Sequence, residues 1–311
     1  EAPRGRAGLE SGGLLAVKHP WLSAAVRLAD RDGYVLSGRL STVEHAWVLD
    51  HVVLGTVILP GTAFVELALA AADAVGLPSV SELTIEAPLA LPARGAVTLQ
   101  VTVEALDATG RRGFAVHSRP DGAHDAPWTA HARGVLGAAP AAATTAWAAG
   151  AWPPAGAEPV DVTRWVEALD AWVGPAFRGV TAAWRVGRSI YADLALPEGV
   201  SERAQDFGLH PALLDAALQA LLRAELGAGS SPREGIPMPF AWSDVALEAR
   251  GAAALRARVE VEDASDGDQL AASIELADAQ GQPVARAGTF RARWATAEHV
   301  RKAAAGASER D

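Results

Sequence analysis

The sequence predicts an α+β fold of two similar halves, each a curved antiparallel sheet wrapped around one long helix. Three observations carry this. Each half holds a single long apolar run of helical period, short alternating segments surround each run, and an Ala/Pro/Gly-rich stretch divides the chain near its middle. Strands and helices in strict alternation would have predicted a parallel sheet instead. The expected division is a first half over residues 1–137, a solvated linker over 138–159 and a second half over 160–311.

In the first half, residues 34–41 and 52–59 read as strands bounded by Gly and polar residues. A helix is expected over 63–75, with Thr62 as its cap and Gly76 at its C-terminus. Alternating stretches at 97–105, 114–119 and 128–136 complete that half. The second half repeats the scheme: strands at 180–186 and 190–196, a helix over 211–226 closed by Gly227, then strands at 255–261, 271–277 and 283–294. Asp278 to Gly281 reads as a hairpin turn between the last two.

The chain has 311 residues, half of them apolar, with 27 basic and 37 acidic side chains and a net charge of −10. A sizeable core is within reach, and an acidic chain with only two lysines is a poor match for nucleic acid. The absence of cysteine excludes disulfides, thiolate zinc sites and cysteine nucleophiles. The chain opens Glu-Ala-Pro-Arg, without a signal pattern, and reads as a piece of something longer. The longest uncharged run, 134–157, is rich in alanine with three prolines, which argues for a linker and against a membrane span.

Scans for a GxSxG elbow, a phosphate loop and an HExxH helix are negative, and Gly227-Ala-Gly229 follows a helix rather than a strand. His117, His124 and His131 recur every seven residues, but in a strand-like region broken by Pro120 and Pro127, so no metal site is expected. Two segments stand apart. In His51-Val-Val-Leu-Gly55-Thr-Val-Ile-Leu-Pro60 a histidine opens an apolar strand, a glycine interrupts it and a proline precedes the helix. Such a glycine permits close approach of a ligand or backbone, and the helix N-terminus offers N–H groups to a carbonyl oxygen. A strand-edge histidine beside a packing glycine fits the same letters. In the second segment, helical spacing puts Asp215, Leu218, Gln219 and Leu222 on one stripe. Asp215 is thus expected in apolar company, where burial favours its protonated form, with Gln219 one turn on to orient it. A neutral imidazole and a neutral carboxylic acid suit removal of a proton alpha to a carbonyl with loss of a beta hydroxyl.

These segments resemble the dehydratase domains of modular polyketide synthases. His51 to Pro60 is similar to that family's HxxxGxxxxP motif, Asp215 and Gln219 to its DxxxQ/H motif, and Gly174-Pro175-Ala176-Phe177-Arg178-Gly179 to its GPxFxG segment. His19-Pro20-Trp21-Leu22, Pro60 to Glu66 and Pro239-Phe240-Ala241-Trp242 add to the likeness. The resemblance implies a double hotdog fold and a cytoplasmic enzyme with no metal or cofactor of its own. Its substrate would ride on the phosphopantetheine arm of an acyl carrier protein, among neighbouring synthase domains and in a possible homodimer. His51 would take the alpha proton of a 3-hydroxyacyl thioester, and Asp215, oriented by Gln219, would protonate the departing hydroxyl. Gly55, Pro60, Val173, Gly174, Pro175 and Phe177 would contact substrate, with N–H groups near Gly55 polarising the thioester.

One position departs from the family. Tyrosine usually precedes the Gly-Pro pair, and this chain has Val173. Either the change is drift within a plain dehydratase, or the opened space serves a second reaction. In the latter a distal hydroxyl adds to the new enoyl thioester and closes a pyran ring, as in dehydratase-cyclase domains of pyran-forming synthases. A non-catalytic structural hotdog and a hotdog thioesterase are the alternatives from other classes.

Overall fold

The computed structural model describes residues 14–138, 146–162, 173–226, 236–262, 269–296, 298 and 302. The strands of the first half are β1 (Leu15–Ala16), β2 (Leu22–Arg27), β3 (Tyr34–Ser41), β4 (Val52–Val53), β5 (Thr56–Val57), β6 (Ser79–Ile85), β7 (Ala96–Leu106), β8 (Arg112–Pro120) and β9 (Thr129–Gly137). The second half carries β10 (Glu158–Pro159), β11 (Val180–Val186), β12 (Ser189–Ala195), β13 (Ile236–Leu247), β14 (Ala254–Val261), β15 (Gln269–Ala277) and β16 (Pro283–Ala295). The long helices are α1 (Gly61–Ala74) and α2 (Pro211–Leu226).

Strand order makes the duplication explicit. The sheet runs β1-β2-β3-β7-β8-β9-β6 and continues as β13-β16-β15-β14-β12-β11-β10. In each half three strands of this sheet precede the helix and four follow it, and the four return in the same spatial order. The halves meet where β6 pairs antiparallel with β13, Leu83 opposite Trp242. The two expected sheets are therefore one continuous fourteen-stranded sheet.

Period-two patterning makes the strands: β7 and β8 alternate buried and part-buried residues along most of their length. Their inner faces close around the helices. α1 is buried on all sides from Thr62 to Ala72, and α2 from Pro211 to Leu221. Both are rich in alanine and leucine, as a helix enclosed by sheet requires. A single apolar cluster runs through both halves, and α1 packs on α2.

Several expectations shift. Residues 52–59 do not form one strand: β4 and β5 fold back on each other across Leu54-Gly55, whose φ values of 50° and 84° make a tight hairpin turn. Pro60, not Thr62, is the cap residue of α1, and no side chain caps it. Gly76 does end the helix segment at φ 72°, and Asp278 to Gly281 does form a turn, closed by the Gly281 N–H on the Asp278 carbonyl at 3.0 Å.

The stretch read as a solvated linker is exposed at most of its described residues, but Trp147, Ala148 and Trp152 dock against the second half. Trp147 and Trp152 meet Tyr191 edge-on, Trp152 also meets Trp184 edge-on, Trp152 Nε1 donates to Asp193 at 2.8 Å, and β10 extends the sheet. Aromatic side chains within an alanine-rich run gave it enough apolar area to dock. Among the described residues, no helix is long and apolar enough to cross a membrane.

Candidate active site

The hairpin that begins at His51 fixes that imidazole. Ile58 donates its N–H to the His51 carbonyl at 3.2 Å, and the Ile58 carbonyl lies 2.8 Å from His51 Nδ1. A carbonyl only accepts, so Nδ1 carries a hydrogen, and Nε2 is the ring nitrogen left to act as a base. The ring rests on Phe177, centroids 5.1 Å apart, and the His51 backbone bridges antiparallel to Val173.

Asp215 projects from the second turn of α2 and is 9% exposed. Gln219, one turn on, donates from Nε2 to Asp215 Oδ2 at 2.7 Å and to the Phe177 carbonyl at 2.9 Å. The i, i+4 spacing thus corresponds to a hydrogen bond between these two side chains, and Phe177 supplies a contact that spacing could not show. Its ring supports the histidine and its carbonyl anchors the amide beside the carboxyl.

A cavity of about 460 Å³ joins these elements, with His51, Val173, Asp215, Leu218, Gln219 and Leu222 in its wall. The stripe expected on α2 is the stripe that faces it. The remaining lining is mostly apolar, from Phe64, Met238, Phe240 and Phe290 among others, with Glu86 and Arg293 as further charges. An acyl chain suits such a wall. Gly61, the first residue of α1, also lines it, and the first turn of a helix has N–H groups that no helical carbonyl can accept.

Five residues expected to contact substrate do not line this cavity: Gly55, Pro60, Gly174, Pro175 and Phe177. Gly55 sits exposed at the hairpin tip, where a Cβ would meet nothing within 4 Å. It is there for its positive φ, not for close approach. Pro60 sets the entry to α1. Gly174 donates to the Asp50 carbonyl at 2.7 Å, and Pro175 begins a short 3₁₀ turn, Pro175–Phe177, whose Ala176 N–H donates to the Asp50 carboxylate at 2.8 Å. Asp50, Ile58 and His210 escaped the sequence reading. Asp50 offered one signal, its place directly before His51. His210 Nδ1 accepts the Ala212 N–H at 3.2 Å and caps α2, and burial lowers its pKa to about 3.

His117, His124 and His131 do not converge, and no three metal-ligating side chains do so among the described residues. His131 is buried against Ser118, Nε2 to Oγ 2.8 Å, with its pKa lowered by burial to about 4.

Known proteins resemble this chain in sequence and fold. The family model described as the polyketide synthase dehydratase domain matches residues 19–119, and that described as the polyketide synthase dehydratase N-terminal domain matches 145–302. Polyketide synthase GfsA of Streptomyces halstedii is 46% identical over 96% of this chain, and pikromycin polyketide synthase component PikAII of Streptomyces venezuelae 48% over 89%. The chain spans only 4% and 7% of those two proteins. A solved structure, the bifunctional dehydratase-cyclase domain in ambruticin biosynthesis, is 98% identical with a TM-score of 0.89, covering 93% of this chain and all of that one. With the double hotdog architecture and both family models matched in chain order, this chain belongs to the dehydratase domains of polyketide synthases.

Proposed function

We propose that this domain dehydrates a 3-hydroxyacyl thioester held on an acyl carrier protein and then closes a tetrahydropyran ring on the product. The observation that carries the reading is that His51 from the first half and Asp215 from the second line one apolar cavity. Likeness to the ambruticin dehydratase-cyclase domain supports the second step.

His51 Nε2 takes the alpha proton while the first N–H groups of α1, at Gly61, stabilise charge developing on the thioester oxygen. The Asp215 carboxyl gives its proton to the beta hydroxyl, the carbon–oxygen bond breaks and water leaves. This leaves an imidazolium and a carboxylate, the pair that ring closure needs. Asp215 accepts the proton of the distal hydroxyl as its oxygen bonds to the beta carbon. His51 returns a proton to the alpha carbon, and both groups end as they began. No metal or cofactor enters these steps. The two catalytic groups come from units proposed as 1–137 and 160–311, so neither unit is complete alone. Carrier protein and neighbouring domains of a cytoplasmic synthase, itself a homodimer, are the proposed partners.

A 3,7-dihydroxyacyl thioester tests the reading. Wild type should remove one water, and chromatography against standards should resolve a ring product from the open enoate. His51→Ala should lower dehydration by about 10²-fold or more. Open enoate alone would leave a plain dehydratase, free acid would indicate a thioesterase, and an unimpaired His51→Ala would remove the catalytic assignment altogether.

A further inference from the structure

Glu66 lies in the middle of α1, 1% exposed, and does not line the cavity. Its carboxylate crosses to the other half. Oε1 accepts the N–H of Gly208 at 2.6 Å and Oε2 that of Leu209 at 2.8 Å. Those residues lead directly into His210 and Pro211, the cap and first residue of α2, with Asp215 one turn further on. Gly208 is confined there: a Cβ would lie 3.2 and 3.3 Å from the two Glu66 oxygens and 2.8 Å from Leu247 Cδ2. On the opposite side His19 Nδ1 accepts the Trp21 N–H at 3.1 Å, so the hydrogen is on Nε2, which faces Glu66 Oε1 at 3.6 Å. The Thr62 hydroxyl, one turn earlier on α1, donates to the Pro211 carbonyl at 2.9 Å.

Burying a carboxylate this deeply is costly, and an apolar side chain of similar volume would serve packing better. What the carboxylate adds is direction: two fixed N–H partners set where α2 starts relative to α1. The base needs none of this. His51 is held through the Ile58 carbonyl, the Val173 bridge and the Phe177 ring, and Glu66 touches none of them.

We propose that Glu66 is a positioning residue for the acid step, fixing the start of α2 so that the Asp215 carboxyl meets the leaving hydroxyl. The inference rests on Asp215 as the proposed acid. Its signature is selectivity by leaving group. A beta hydroxyl departs only if protonated, whereas a beta acetoxy group departs as acetate once His51 has taken the alpha proton.

The test compares 3-hydroxyacyl and 3-acetoxyacyl pantetheine thioesters on wild type, Glu66→Gln and Asp215→Asn, with the fold of each checked by thermal unfolding. In Glu66→Gln an amide N–H₂ would face a backbone N–H, and the clash displaces the α2 start. The expected result is a kcat lowered about tenfold or more on the hydroxy substrate with KM little changed, and acetoxy turnover within about threefold of wild type. Asp215→Asn should show the same selectivity more strongly. Equal loss on both substrates in Glu66→Gln, or no loss, overturns the proposal when Asp215→Asn is selective. An unselective Asp215→Asn overturns the acid assignment itself. If Glu66→Gln does not fold, Glu66→Asp, which keeps the charge and retracts the oxygens by one methylene, is read against the same two outcomes.

Discussion

Val173 stands where a tyrosine would carry a phenol into the cavity. Its backbone bridges His51 and its side chain lines the cavity, 8% exposed. A larger ring at this point takes up room that a folded-back acyl chain needs for its distal hydroxyl to reach the beta carbon. Elimination asks only for the alpha and beta positions. Val173→Tyr is therefore expected to retain dehydration and lose ring closure, read as enoate accumulating from the diol thioester. Undiminished ring product would show that Val173 is not the determinant. At this scale residue type and spacing were informative for His51, Asp215 and Gln219, because a helical stripe and a short motif are local properties. Phe177 was not legible in the same way. Its contacts to His51 and to Gln219 join segments 126 and 42 residues apart.

Elements with clean periodicity were readable nearly to the residue: β3, β11 and α2 occupy the segments expected of them. The strands that sequence reading passed over include β6 and β13, the two that join the halves. β13 contains Pro237 and Pro239, which argue against a central strand, and the structure tolerates them with a register shift between Pro239 and Ala241. The helix junction has its own test. Thr62 was expected to cap α1, and instead its hydroxyl ties α1 to the start of α2. Thr62→Val keeps the shape and removes that bond. It should cost about 1 kcal/mol of stability, seen as a lowered thermal midpoint. An unchanged midpoint would mean that the Thr62 hydrogen bond adds nothing to the α1–α2 contact.

For the molecule as a whole, burial lowers the pKa of five histidines: His19 and His210 to about 3, His131 to about 4, and His45 and His117 below the ordinary value. In the unfolded chain they titrate near 6.5, so below that pH the unfolded state binds protons that the folded state refuses. Stability is therefore lost as pH falls from about 6.5 toward 4. Glu66, raised by burial to about 7, acts in the opposite sense over roughly pH 4.5 to 7, because there the folded state holds the extra proton. Five groups outweigh one. Urea unfolding should show a lower midpoint at pH 5 than at pH 7; an equal or higher one would contradict the assignment of the buried histidines.

By itself the sequence determined the class of fold, the duplication and the identity of a candidate base and acid. Each follows from local periodicity or from a short ordered motif, which the chain carries wherever it goes. Tertiary structure decided what those residues meet. It turned two sheets into one, docked Trp147 and Trp152 against the second half, and moved Gly55 out to a turn. It also aimed Glu66 at the start of the opposite helix. These outcomes depend on contacts between residues far apart in sequence, and spacing along the chain cannot specify them.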